Sequence, residues 1–153
     1  MLRSLHISNY ALIEQLDIDF SDGFSVITGE TGAGKSIMMG ALALLLGARA
    51  DAKVIKLGAS KCCVEAEFEV AKLNIASLFE ENDIDFDGTE LIVRREVSAT
   101  GKSRAFVNDS PVTLQVLKEI ASRIIDVHSQ HQNLLMGDEN FVLGILILQN
   151  LQR

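Results

Sequence analysis

Proline is nearly missing from this 153-residue chain; the one proline is Pro111. No proline-rich linker can divide it, and neither an internal repeat nor a low-complexity tract is visible. The length is that of a single domain able to bury a substantial core. Cysteine is almost as scarce, with two residues, Cys62 and Cys63, side by side. Neighbours on a strand point to opposite faces, so a bond between them would be strained. The pair reads as one buried and one exposed free thiol in a reducing compartment. Long apolar runs are missing too. The opening Met1-Leu2-Arg3-Ser4-Leu5-His6 lacks the apolar segment of a secretory signal. No stretch approaches the roughly 20 residues that span a bilayer, so the expectation is a cytoplasmic protein with no membrane partner. Cations are outnumbered as well, and the formal charge is −7. Phosphate repels such a chain, so a nucleic-acid role requires a local basic patch or another part of the molecule.

What is present is a globular composition, 48% hydrophobic and 23% charged, and one complete motif. Gly29-Glu30-Thr31-Gly32-Ala33-Gly34-Lys35-Ser36 matches the G-x-x-x-x-G-K-[ST] phosphate-binding loop. Its context agrees. The apolar run Phe24 to Thr28 reads as a strand entering the loop, and Ile37 to Leu46 as the helix leaving it. Gly29, Gly32 and Gly34 permit the backbone to approach phosphate, whose oxygens meet amide N–H groups and the positive end of the helix dipole. Lys35 is placed as a point charge on the β- and γ-phosphates, and Ser36 offers a hydroxyl to Mg²⁺. The motif therefore points to a nucleoside triphosphate bound with Mg²⁺.

Around the loop, Leu2 to Ile7 and Leu16 to Phe20 alternate like half-buried strands. The loop helix, Ser36 to about Leu46, is apolar nearly all round, which predicts burial beneath a sheet, and Gly47 reads as its C-cap. Cys63 to Val70 predicts an antiparallel strand with one wet face, and Ile75 to Glu81 a short helix. Leu91 to Val97 and Ser103 to Val107 read as two strands joined across Ser98 to Lys102. Asn108-Asp109-Ser110-Pro111 reads as a turn, Thr113 as the cap of a helix over Leu114 to Ser122, and Ile124 to Val127 as a buried strand.

Other candidates carry less. Gly101-Lys102-Ser103 lacks the leading glycine, since position 96 is Glu96, and reads as a hairpin turn. Lys102 and Arg104 join Arg94 and Arg95 in a small basic cluster, read as a solvated face rather than a DNA contact. His128 and His131 lack the further ligands a metal would need. Gln130, just past a strand end, stands where open α/β sheets place their ligands. The tail from Phe141 to Leu148 is apolar with little periodicity. Either it packs against something outside this chain, or its sequence is altered.

Together, Thr28 to Ser36, Ala43 to Ala50, Leu5 to Ile13, Gly101 to Asn108 and Asp126-Val127-His128-Ser129-Gln130-His131 resemble the RecN family, bacterial SMC-like ATPases of DNA double-strand break repair. The resemblance implies an α/β P-loop NTPase fold. It is that of the ABC/SMC-type ATPase head, as an N-terminal lobe with an antiparallel β subdomain beside the P-loop strand and helix. Residues 1–137 would form that lobe, and 138–153 the start of a coiled coil or a truncated or altered tail. Gln130 would act as the Q-loop glutamine, touching Mg²⁺ or the attacking water and, with Lys35, serving catalysis on ATP. Where SMC-like heads carry an arginine after the loop helix, this chain has Lys56. No Asp-Glu of a Walker B strand and no Ser-Gly-Gly signature loop occur in these residues. The family places both in a C-terminal lobe, so hydrolysis would need that lobe and a head-to-head homodimer, with DNA and the nucleoid engaged by the intact protein. The rivals are a transporter-type ABC subunit, a small-molecule P-loop kinase and a non-catalytic dimerisation module.

Overall fold

The computed structural model describes residues 2–20 and 32–125, with side chains in the second stretch from Ile37 to Ile124. Two of the expected elements, the strand Phe24 to Thr28 and the segment from Asp126 onward, lie outside these residues. The described chain is built on one sheet. Strands β1 (Leu2–Tyr10), β2 (Ile13–Asp19), β3 (Lys61–Glu69), β4 (Glu90–Ser98), β5 (Ser103–Val107) and β6 (Ser110–Val112) lie in the order β2-β1-β3-β4-β5-β6. Every neighbouring pair is antiparallel.

Alternation sets the two faces of the sheet. On β3, Cys62, Val64, Ala66 and Phe68 are buried, while Cys63, Glu65 and Glu67 face the other way and stay half-buried. The inward row of β4 is Leu91, Val93, Arg95 and Val97. Helices α1 (Gly32–Leu45) and α3 (Leu114–Ile125) cover the inward face, α1 against β1, β3 and β4 and α3 against β5. Between β3 and β4, α2 (Ala76–Glu81) buries Leu78 and Phe79, and the Phe79 ring stacks on Phe86 with centroids 4.2 Å apart. Both cysteines are free. Burial, then Glu96 and Glu65, pushes the Cys63 thiol up to about 11.

Two expectations need correction. Ile124 and Ile125 do not begin a strand; they form the last turn of α3. Leu117, Ile120, Ala121 and Ile124 continue one helical stripe onto the core, and that period outweighs the strand preference of a short isoleucine run. The segment 108–111 is only half a turn. Asn108 and Asp109, both at positive φ, make the reversal. Ser110 and Pro111 already belong to β6, where Pro111 is tolerated because β6 is an edge strand. Thr113 does cap α3, its hydroxyl accepting from the Val116 amide at 3.2 Å.

On the outward face, His6 of β1 pairs with Asp17 of β2, its register partner. That hydrogen bond raises the His6 pKa above the ordinary 6.5 and lowers that of Asp17 below 3.8. A raised histidine contributes stability that is complete below 6.5 and is lost as pH climbs through its folded pKa. A lowered carboxylate contributes stability that is present above 3.8 and is lost as pH falls through its folded pKa. An NMR titration of His6 should therefore show a midpoint above 6.5, and His6→Gln should flatten the fall of the urea midpoint above that pH. A His6 midpoint at or below 6.5 would sink the expectation.

Candidate functional site

Helix α1 begins at Gly32, inside the loop motif, and its first turn carries no acidic side chain. The first four amides of a helix have no intrahelical acceptor, and the dipole makes that end positive. An anionic phosphate fits such an end, and a serine hydroxyl is a hard-oxygen donor suited to Mg²⁺. Gly32, Ala33, Gly34, Lys35 and Ser36 all fall on this helix start. Gly29, Glu30 and Thr31, and Gln130 with His128 and His131, lie outside the described residues. Among the described residues, no group of three or more His, Cys, Asp or Glu could hold a metal ion. No described helix is long and apolar enough to cross a membrane.

What the described residues show in detail is how the helix bearing the loop is seated. At its middle, Gly40 faces Tyr10 of β1 so closely that a Cβ there would lie inside contact distance of the tyrosine hydroxyl. Burial, and then the Cys62 thiol, raise the Tyr10 pKa. At its C-terminal end, the Gly47 amide donates to Leu44 O at 3.2 Å and the Ala48 amide to Ala43 O at 3.0 Å, the paired closure of a Schellman motif. Gly47 has φ +101°, and a Cβ there would run into Lys118 of α3.

The third anchor is Arg95, only 1% exposed. One guanidinium nitrogen (Nη1) donates to Leu44 O at 2.7 Å and to Ala48 O at 3.0 Å. The other (Nη2) donates to Ser103 Oγ at 2.7 Å. Burial lowers its pKa, and the Cys62 thiol works in the opposite direction. A cation at the carbonyl end of a helix complements the dipole, worth up to about 2 kcal/mol when partly buried.

Arg95 therefore leaves the surface cluster the sequence suggested. Arg94, next to it, points to the outward face, lies over the Phe106 ring at 4.4 Å and pairs with Glu65, Glu96 and Asp109. Of the four cations, only Lys102 and Arg104 remain exposed. The missed signal was the strand period itself, which puts Arg95 in the same row as Leu91, Val93 and Val97. Lys56 sits beside the β1–β2 turn, its amide donating to Asn9 O at 2.8 Å and its ammonium 3.9 Å from Glu14 Oε2.

Comparison with known proteins agrees with this architecture. A family model described as AAA domain matches residues 4–150. DNA repair protein RecN of Vibrio cholerae is 40% identical over 146 residues, covering 95% of this chain and 26% of the relative. RecN of Bacillus subtilis is 41% identical over 142 residues, covering 92% of this chain and 25% of the relative. The chain thus spans about a quarter of the length of the curated relatives it matches. Among solved structures, an SMC ATPase studied for ATP-driven dimerization and DNA-stimulated activation superposes with a TM-score of 0.62 at 21% identity. That match covers 90% of this chain and 98% of the other. The fold is that of the N-terminal lobe of an SMC-type ATPase head.

Proposed function

The chain belongs to the AAA-domain family, and from that premise we propose that it is the ATP-binding lobe of a RecN-like ATPase of DNA double-strand break repair and recombination. The observation that carries the reading is the start of α1 inside a complete phosphate-loop motif, with no acidic side chain in its first turn. In this reading the loop from Gly29 to Gly34 cradles the phosphates, Lys35 holds the β- and γ-oxygens, and Ser36 and Gln130 face Mg²⁺. The ion's chemistry is to neutralise charge developing on the phosphoryl oxygens. The chain contributes loop, lysine and hydroxyl. A C-terminal lobe and a head-to-head partner contribute the groups that activate water. DNA is engaged by the intact protein in the cytoplasm, at the nucleoid.

Fluorescent ATP titrated into the 153-residue chain should bind weakly and only with Mg²⁺, and turnover should be negligible. Lys35→Ala should weaken binding at least about tenfold, roughly 1.4 kcal/mol. Turnover that persists in Lys35→Ala would overturn the assignment.

A further inference from the structure

Arg95 is buried at a cost. Removing a guanidinium from water loses several kcal/mol of hydration, and an apolar side chain of similar length often fills such a slot with equal or better stability. Among the described residues no carboxylate is paired with it. Among the same residues, its Nε finds no hydrogen-bond partner either. What the side chain gains is directional. Its planar fork joins the carbonyls of Leu44 and Ala48, on either side of the Gly47 reversal, to Ser103 on β5. An ammonium also has three donors, but on one nitrogen at the end of a flexible stem, without the planar fork that fixes their directions. Arg95 itself stands in the middle of the sheet, opposite Val64 of β3 and Ala105 of β5. The fork thereby fixes the end of α1 to the sheet along the helix axis.

We propose that Arg95 is a positioning residue for the phosphate loop: it sets the axial seat of α1, and through it the position of the loop residues at the other end. The inference rests on the nucleotide reading above. Helix α1 has 14 residues, about 21 Å at 1.5 Å per residue. A hydrogen-bonded helix transmits an axial slip from one end to the other. Misplacement by about 1 Å can cost on the order of 10²-fold at a reacting centre, so a partial slip predicts about tenfold in nucleotide affinity.

The test compares Arg95→Met, Arg95→Lys, Ser103→Ala and the control Val107→Ala, a buried β5 residue outside the fork. Arg95→Met should weaken Mg²⁺–ATP binding about tenfold. Arg95→Lys should recover part of that loss, and Ser103→Ala should weaken binding about threefold, in the same direction. Val107→Ala should lower the melting temperature yet leave affinity unchanged, which separates positioning from plain stability. Arg95→Met that folds and binds within twofold of the parent overturns the proposal. Should Arg95→Met fail to fold, unchanged affinity in Ser103→Ala overturns it instead. Amide shifts and hydrogen exchange at Gly32 to Ser36, recorded without nucleotide, should change in Arg95→Met and not in Val107→Ala. That measurement keeps the two readings apart. A parent chain that binds no nucleotide defeats the proposed function, whereas unchanged loop amides defeat the role of Arg95.

Discussion

Gly47→Val is expected to destabilise the fold by about 2–4 kcal/mol, the sum of backbone strain and overpacking. The residue sits at φ +101°, a conformation in which a β-branched side chain is a genuine outlier. Its α-hydrogen also faces Lys118 Cγ, where any Cβ must displace the lysine stem. The backbone at this point closes the carbonyl end of α1 and presents Leu44 O and Ala48 O to Arg95, so strain here also disturbs the anchor. For a domain of this size each kcal/mol lowers the melting temperature by about 2–4 °C, so a drop of roughly 5–15 °C is expected. Gly47→Ala in a Lys118→Ala background removes the collision and keeps the strain. It should retain a cost of about 1–2 kcal/mol. A Gly47→Val melting curve within 2 °C of the parent (about the effect of 1 kcal/mol) would show that the reversal is not needed.

Gly40→Ala should be destabilising by about 1–3 kcal/mol, against the helix propensity that favours alanine over glycine by about 1 kcal/mol. The reason is Tyr10, 7% exposed and therefore unable to swing away. The added methyl would meet the tyrosine hydroxyl, while the ring carbon Cζ behind it stands at 3.5 Å, ordinary contact. Deleting that one oxygen makes room. In a Tyr10→Phe background the same Gly40→Ala should be neutral or stabilising by up to about 1 kcal/mol. A double-mutant cycle from urea unfolding would then give a coupling above about 1 kcal/mol. Additive changes would mean that β1 and α1 are not in contact through this pair. The outcome matters for the proposed function because this contact, with Arg95 and Gly47, seats the helix that begins inside the phosphate-loop motif.

Most of the sheet was legible from alternation. Val64, Ala66 and Phe68, or Leu91, Val93 and Val97, have one wet neighbour after another, and a period of two admits one assignment of faces. Helix α1 was legible from the loop motif ahead of it and Gly47 behind it. The strand expected over Ile124 to Val127 failed because four apolar residues fit either period. Leu117 and Ile120, a turn or two earlier, decide for the helix. The edge strand at Ser110 was hidden because asparagine, aspartate and proline mark a turn whether or not pairing resumes after it.

The site divides in the same way. The sequence by itself determined the motif: Gly32, Gly34, Lys35 and Ser36 match a phosphate loop by residue type and spacing, and the proposed nucleotide site rests on that match because a glycine-rich helix start needs no distant partner to attract an anion. Only the tertiary structure decided what Arg94 and Arg95 do. Adjacent on the chain and alike in charge, they are separated by the pleat. One goes to an outward face of carboxylates and a phenyl ring, the other to the carbonyl end of α1, where the next layer of the fold supplies the charge it answers.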